Sequence, residues 1–306
     1  MADLTVNFPA WVHVREVGLR DGLQIEKPIT TAAKERLLDA VVATGVRRVE
    51  ATAFVSPRAV PSMADAEEVA ALLPRWPGVR FSALVASPGG ARRAVAAGIT
   101  DLEYVVSASD GHSRANVKIG TDEATEKIAE VAATVHDVGG RVEVIVATAW
   151  DCPFDGPTPT ERVLRIVERA VELGADELAI ADTIGTATPV RVQRLIGAVR
   201  ERVGPVELGA HFHNTRGAGL ACAVAAVGAG VVRLDASTGG LGGCPFAPGA
   251  SGNIATEELV YLLHDMGVET GIDLGLAIDA AAVAQDVVGH RVPSNLLRAG
   301  DRKRSG

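Results

Sequence analysis

The sequence predicts a closed (β/α)8 barrel, the TIM-barrel architecture, and three observations carry that prediction. From residue 11 onward, short apolar runs rich in β-branched residues alternate with longer helical patterns. The alternation is strict, which implies parallel strands joined by crossover helices. Eight such units in a chain of 306 residues match the count and length that close a barrel. A doubly wound open sheet is the alternative arrangement. No shift in composition marks a boundary, so 1–297 reads as a single barrel domain and 298–306 as a flexible charged tail.

The expected strands are 11–17, 47–55, 79–86, 101–107, 141–148, 177–182, 206–213 and 231–236. Each is short and β-branched, which favours a strand over a buried helix. Helices are expected near 31–44, 62–73, 88–97, 121–138, 158–173, 188–203, 216–228 and 253–266, with a short extra C-terminal helix over 273–290. Thr31 and Thr160 are the expected caps of their helices, and Thr188-Pro189 places proline in a first turn. Gly45, Gly98, Gly139, Gly174, Gly204 and Gly267 stand where helices should stop.

Composition narrows the function. Thirty Lys and Arg against 38 Asp and Glu give a net charge of −8, which argues against a nucleic-acid or membrane-surface partner. Cys152, Cys222 and Cys244 are far apart and form no CxxC, which speaks against a disulfide framework or structural zinc. The N-terminal residues lack a basic region followed by an apolar core, and no apolar run is long enough to span a bilayer. A cytoplasmic protein is the expectation.

In such a barrel the chemistry gathers where strands end. The first strand ends in Arg20-Asp21-Gly22, the second contains Glu50, the sixth ends in Asp182-Thr183 and the seventh in His211-Phe212-His213. His211 and His213 are two apart on a strand and so share a face, toward the barrel interior if Phe212 faces the helices. With Asp21 and the amide of Asn253 they make a mixed N/O ligand set. Such a set suits Mg²⁺ or Mn²⁺ before Zn²⁺; the alternative for HxH alone is a pair of structural histidines. Arg20 places a permanent cation where an oxyanion could develop, or forms a salt bridge to Glu50 or Asp182. Asp182 reads as a base, a substrate contact or an Asx-turn former.

The eighth strand feeds a loop, Gly239 to Asn253 (GGLGGCPFAPGASGN), in which six of fifteen residues are glycine. Its length and glycine content predict a lid with Cys244 at its tip, the alternative being a plain connector. An electropositive setting would let Cys244 act as an acid or base. Cys222 lies in an Ala-rich helix and reads as core. Lys27, Arg58, Arg114, Lys118 and Arg216 lie in loops on the predicted active face, with solvated surface charge as the alternative reading.

These residues carry a family resemblance. The runs EVGLRDGLQ (16–24), VEATAFVSP (49–57), DTIG (182–185), His211-Phe212-His213 and the 239–253 loop resemble 3-hydroxy-3-methylglutaryl-CoA lyases, over nearly the whole chain. The resemblance implies a TIM barrel and a divalent metal on Asp21, His211, His213 and Asn253. It implies Arg20 as the residue that stabilises a thioester enolate, Glu50 and Asp182 as acidic site residues, and Cys244 in proton transfer. Arg20, Gln24 and Lys27 are the expected substrate contacts, and an acyl-CoA the expected partner, with a homodimer or tetramer as the expected assembly. Two stretches depart from the lyase pattern: Asn214 follows the second histidine, and 107–120 (SASDGHSRANVKIG), bordering the expected acyl pocket, is only loosely similar.

The expected activity is metal-dependent retro-Claisen cleavage of 3-hydroxy-3-methylglutaryl-CoA, or a close 3-alkyl analogue, to acetoacetate and acetyl-CoA. His211 or Asp182 would be the base. A condensing enzyme of the same superfamily and a non-catalytic metal-binding barrel are the alternatives.

Overall fold

A computed structural model describes residues 8–244 and 247–302, excepting the side chains of Cys244 and 247–251. Eight parallel strands close in chain order. They are β1 (His13–Glu16), β2 (Arg48–Phe54), β3 (Arg80–Val85), β4 (Asp101–Ser107), β5 (Arg141–Ala147), β6 (Glu177–Asp182), β7 (Glu207–Phe212) and β8 (Arg233–Ala236). The ring closes where β1 pairs with β8, Arg15 opposite Asp235. The open-sheet alternative is thereby excluded. No helix among the described residues is long and apolar enough to cross a membrane.

The helices follow the expected order with local corrections. The helix expected over 121–138 is two, Thr121–Glu126 and Ile128–His136, and that expected from 62 begins at Ala66 after a tight turn at Pro61–Met63. Thr30, not Thr31, caps the first helix by accepting from the amide of Ala33 at 3.2 Å, while Thr31 bonds Asp65. Pro159 occupies the cap position before Thr160 and provides no side-chain bond. Pro189 does open its helix, and all six stop glycines adopt positive φ. The C-terminal helix Leu274–Val288 packs on the first helix, Thr31–Ala43. Beyond it come a short helix, Leu296–Ala299, and Arg302, which pairs with Asp265 at 2.6 Å and covers the Tyr261 ring. Residues 303–306 lie outside the described residues.

A helix at Asp110–Val117 has no counterpart in the sequence expectation. Its polar run gives no apolar period, yet Ser109 caps it and Lys118, with φ of 66°, ends it.

The apolar core lies between the strands and the helices, as the architecture requires. The lower lumen holds charge instead. Arg15 donates to Glu103 at 2.6 Å, to Glu143, and with two nitrogens to Asp235 at 2.9 and 2.7 Å. Arg233, fully buried, reaches Glu143 at 2.8 Å and Glu177 at 3.8 Å. Side chains from β1, β4, β5, β6 and β8 meet this way only inside the barrel. Gly209 on β7 makes the room, since a Cβ there would stand 2.5 Å from the Arg233 guanidinium. Buried charges persist only when paired, and here each arginine reaches several carboxylates.

Candidate active site

The chain leaves β1 through one wide π-type turn, Gly18–Gly22, a geometry frequent at functional sites. The turn sets Arg20 and Asp21 side by side over the barrel mouth. Arg20 donates to Asp21 at 2.6 Å and to Gln24 at 3.2 Å, and its Nε lies 2.7 Å from Glu50. Arg20 thus forms the salt bridge read from the sequence, with Glu50 rather than Asp182 as its partner. Burial pushes the Glu50 carboxyl up; Arg20 pulls it down and Glu103 pushes it up again, leaving it well above the usual carboxylate range.

His211, next to last in β7, stands in register with Asp235 of β8, and the rings of His211 and His213 sit 5.0 Å apart. Phe212 points outward against Trp150, as the alternation requires. The Nδ1 of His211 lies 3.2 Å from Asp235, so its Nε2 is turned toward Asp21, 3.9 Å away. The Nε2 of His213 lies 3.5 Å from the same Asp21 oxygen. One donor atom from each of Asp21, His211 and His213 falls within 4.8 Å of the others. Burial raises the Asp21 carboxyl, but Arg20, His213 and His211 hold it well below its ordinary value. A carboxylate and two imidazoles converging on one point, one imidazole braced by a second carboxylate, fit a divalent cation.

Asn253 also reaches the set, through an isolated bridge to His213. Its amide nitrogen donates to Asp21 at 2.7 Å and to the Leu241 carbonyl at 3.0 Å. In this geometry Asn253 braces Asp21 through its N–H₂, whereas the expected ligand role needs its oxygen toward the site. Gly242 permits the contact, because a Cβ at its φ of 114° would stand 2.7 Å from that nitrogen.

Over this set lies a cavity of 420 Å³, within the size range of small-molecule sites. Arg20, Asp21, Gln24, His211 and His213 line one side. Asp182 does not line it. Both Asp182 oxygens accept backbone amides, from Thr186 at 3.0 Å and Ala187 at 2.9 Å, which is the turn-forming role among the three weighed. Of the two candidate bases, His211 is therefore the one at the cavity. Thr148, beyond β5, is β-branched yet held at φ of 54° by an amide bond to the Thr183 hydroxyl at 2.8 Å. Lys27, Arg58, Arg114, Lys118 and Arg216 are exposed and do not line the cavity. Cys222 is buried, as expected. The Cys244 backbone pairs with Ala247 in a hairpin, while its side chain and the 245–246 tip lie outside the described residues.

Sequence reasoning missed Asp235, although the alternation it used elsewhere could have found it. Arg233 and Asp235 share one strand face, as His211 and His213 do. It also missed His112, brought to the cavity by the unexpected helix, with Nδ1 2.6 Å from the Ser107 hydroxyl.

Comparison with known proteins settles the kinship. The HMGL-like family profile matches residues 11–284. The chain belongs to the HMGL-like family. It is similar to the hydroxymethylglutaryl-CoA lyase of Pseudomonas mevalonii, 41% identical over 296 residues that cover 96% of this chain and 95% of that one. It is also similar to the (R)-citramalyl-CoA lyase of Chloroflexus aurantiacus, 40% identical over 94% of this chain and 95% of that protein. Among solved structures, an HMG-CoA lyase from Acinetobacter baumannii in complex with coenzyme A and 3-methylmalate superposes with a TM-score of 0.92 at 38% identity, covering 100% of this chain and 99% of that one. Membership of this family and the closed barrel bear out the resemblance and the fold read from sequence.

Proposed function

We propose that the chain is a carbon–carbon lyase that cleaves 3-hydroxy-3-methylglutaryl-CoA to acetoacetate and acetyl-CoA. The observation that carries this reading is Arg20 beside the Asp21–His211–His213 set in one cavity. The hydroxymethylglutaryl-CoA lyases among its relatives and the coenzyme A complex of a structural neighbour support it.

Asp21, His211 and His213 would hold a divalent cation, Mg²⁺ or Mn²⁺ by their oxygen and nitrogen donors, which would supply Lewis acidity toward the substrate. A base takes the hydroxyl proton, a role open to His211 only while its Nε2 is off the cation, and the O–H electron pair becomes the second bond of the C3 carbonyl. The C2–C3 pair passes into the thioester enolate, which takes a proton at C2. Arg20 offers the enolate oxygen N–H donors, and Glu50 holds the guanidinium in place. Asp235 fixes the ring of His211 through Nδ1. Cys244 delivers the proton to carbon, a role that follows from the resemblance.

The (R)-citramalyl-CoA lyase relative favours a second reading on a thioester that also carries a tertiary hydroxyl and a carboxylate.

The test is acetyl-CoA release from both thioesters by purified protein stripped with EDTA and reloaded with Mg²⁺ or Mn²⁺. Cleavage of hydroxymethylglutaryl-CoA, abolished by EDTA and restored by metal, is the expected result. His213→Ala should lose more than the ~10–100-fold typical of a lost bracing partner, with an unchanged circular dichroism spectrum. Full activity in chelated protein defeats the metal assignment, and exclusive cleavage of citramalyl-CoA selects the second reading.

A further inference from the structure

The cavity is divided by arc. Its charged side comes from the neighbouring strand ends of β7 and β1, which flank β8 in the ring. The facing arc, from β2 to β6, presents Ala53, Leu84, Val105, Ile145 and Ala181. Ile145 and Ala181 join Ala179 in a small buried cluster against Val105, separate from the main core. That cluster forms an apolar floor above the charged lower lumen. Half-exposed Phe154 and Ile25, 52% and 50% accessible, carry the apolar surface out to the mouth. The polar groups above this arc are Thr183, just beyond β6, and His112 and Asn116, one helical turn apart on Asp110–Val117. Burial lowers the basicity of His112, so it offers a neutral imidazole rather than a cation. Arg20 is the only permanent cation among the described lining residues, and Glu50 and Asp21 already engage it.

Besides the thioester arm, whose oxygen belongs with Arg20, three groups on C3 of the substrate need places. The hydroxyl and the carboxylate belong with the charged arc, since the facing strands offer a carboxylate no cation. The third substituent then points to the arc from β2 to β6. A methyl group would touch little of that wall, and apolar surface repays contact in proportion to its area.

We propose that this third substituent is an apolar chain longer than methyl, so that the favoured substrates are 3-hydroxy-3-alkylglutaryl-CoA thioesters with a chain of about four carbons or more. The inference rests on the lyase reading given above. It assigns Val105, Ile145 and Ala181 as residues that set chain length.

The experiment compares kcat/KM for hydroxymethylglutaryl-CoA and for its 3-butyl analogue with metal-loaded enzyme, following acetyl-CoA in both cases and 3-oxoheptanoate as the second product of the analogue. A preference of at least about tenfold for the butyl substrate is expected, a modest demand because one methylene in an apolar pocket is worth roughly 10–200-fold. Val105→Phe, which fills the arc, should lower that butyl-to-methyl ratio at least about tenfold. Ile145→Phe provides an independent second obstruction with the same expected direction. Equal or better cleavage of the methyl substrate by the wild type overturns the inference and leaves the lyase reading standing. A wild-type preference for butyl that neither substitution changes overturns the assignment of the wall. Cleavage of neither thioester overturns the lyase reading and this inference together.

Discussion

The barrel holds two charged layers, one above the other: the lower comes from β1, β4, β5, β6 and β8, the upper from the turn after β1, Glu50 of β2 and the end of β7. In the lower layer, Arg15 bonds Glu103, Glu143 and Asp235, and Arg233 reaches Glu143, Glu177 and Glu207. Every cation there is surrounded by carboxylates of the protein's own. In the upper layer a single guanidinium, Arg20, is shared between Glu50 and Asp21, and two imidazoles converge on that same Asp21. The lower layer answers its own charge, whereas the upper one offers donor atoms to a cation that the chain does not supply. Asp235 belongs to both, held by Arg15 below and holding His211 above. Burial alone would raise its carboxyl, but Arg15 and His211 pull it below the usual range. The difference teaches that buried charge in a barrel marks a binding site where it is left incomplete, not wherever it occurs.

The strongest way to break this comparison is Arg15→Met. It leaves Glu103, Glu143 and Asp235 together without their shared cation, and removing one partner of a buried set costs about 3–5 kcal/mol. Urea unfolding measures it, and a loss below about 1 kcal/mol would mean that the lower layer is not a stabilising network. A smaller effect is expected from Asp235→Asn, which weakens the link between the layers. Mg²⁺ or Mn²⁺ affinity, read by calorimetry, should fall about 10–100-fold. Unchanged affinity would show that the two layers work independently.

A third test concerns a carboxyl outside both layers. Glu257 is fully buried beneath the 239 turn, accepts the Gly239 amide at 3.1 Å, and is pushed up to about 7 by burial. Its folded value lies above the unfolded one. Its contribution to stability is therefore complete below the unfolded value of 4.5 and is lost as pH rises through about 7. Glu257→Gln should flatten the decline between pH 5 and 8 by up to about 3 kcal/mol. Glu16, also pushed up to about 7 by burial, keeps the rest of the slope. An unaltered pH profile in the variant would show that Glu257 does not ionise in this range.

The sequence made the barrel legible because strand and helix periods differ and because glycine stops are local signals. It made Arg20, Asp21, His211 and His213 legible because they fall at strand ends. What it did not show depends on the lumen. Arg15, Glu103 and Glu143 are spread over β1, β4 and β5, and only closure of the ring shows that they meet. The same holds for Asp182, whose turn-forming bonds are invisible until Thr186 and Ala187 are placed. The helix at Asp110–Val117 escaped because its cavity face is spaced by turns, at 112, 115 and 116, within a polar run.

Glu16 carries a consequence for the order in which the molecule is made. One of its oxygens accepts the amides of Gly18 and Thr238, at 2.7 and 2.8 Å, and the other accepts the Thr256 hydroxyl at 2.6 Å. Arg15 and Asp235 are likewise 220 residues apart in sequence, and Asp21 and Asn253 are 232 apart. A ribosome therefore exports the first half of the site long before the second half exists. Seven strands can accumulate while β1 still waits for the neighbour that completes the ring. Contacts of such long range delay folding because the loop must be closed before they reward it. The cation set pairs Asp21, beyond the first strand, with two histidines at the end of the seventh. It therefore cannot assemble before β7 has left the ribosome, and the ring around it closes only with β8.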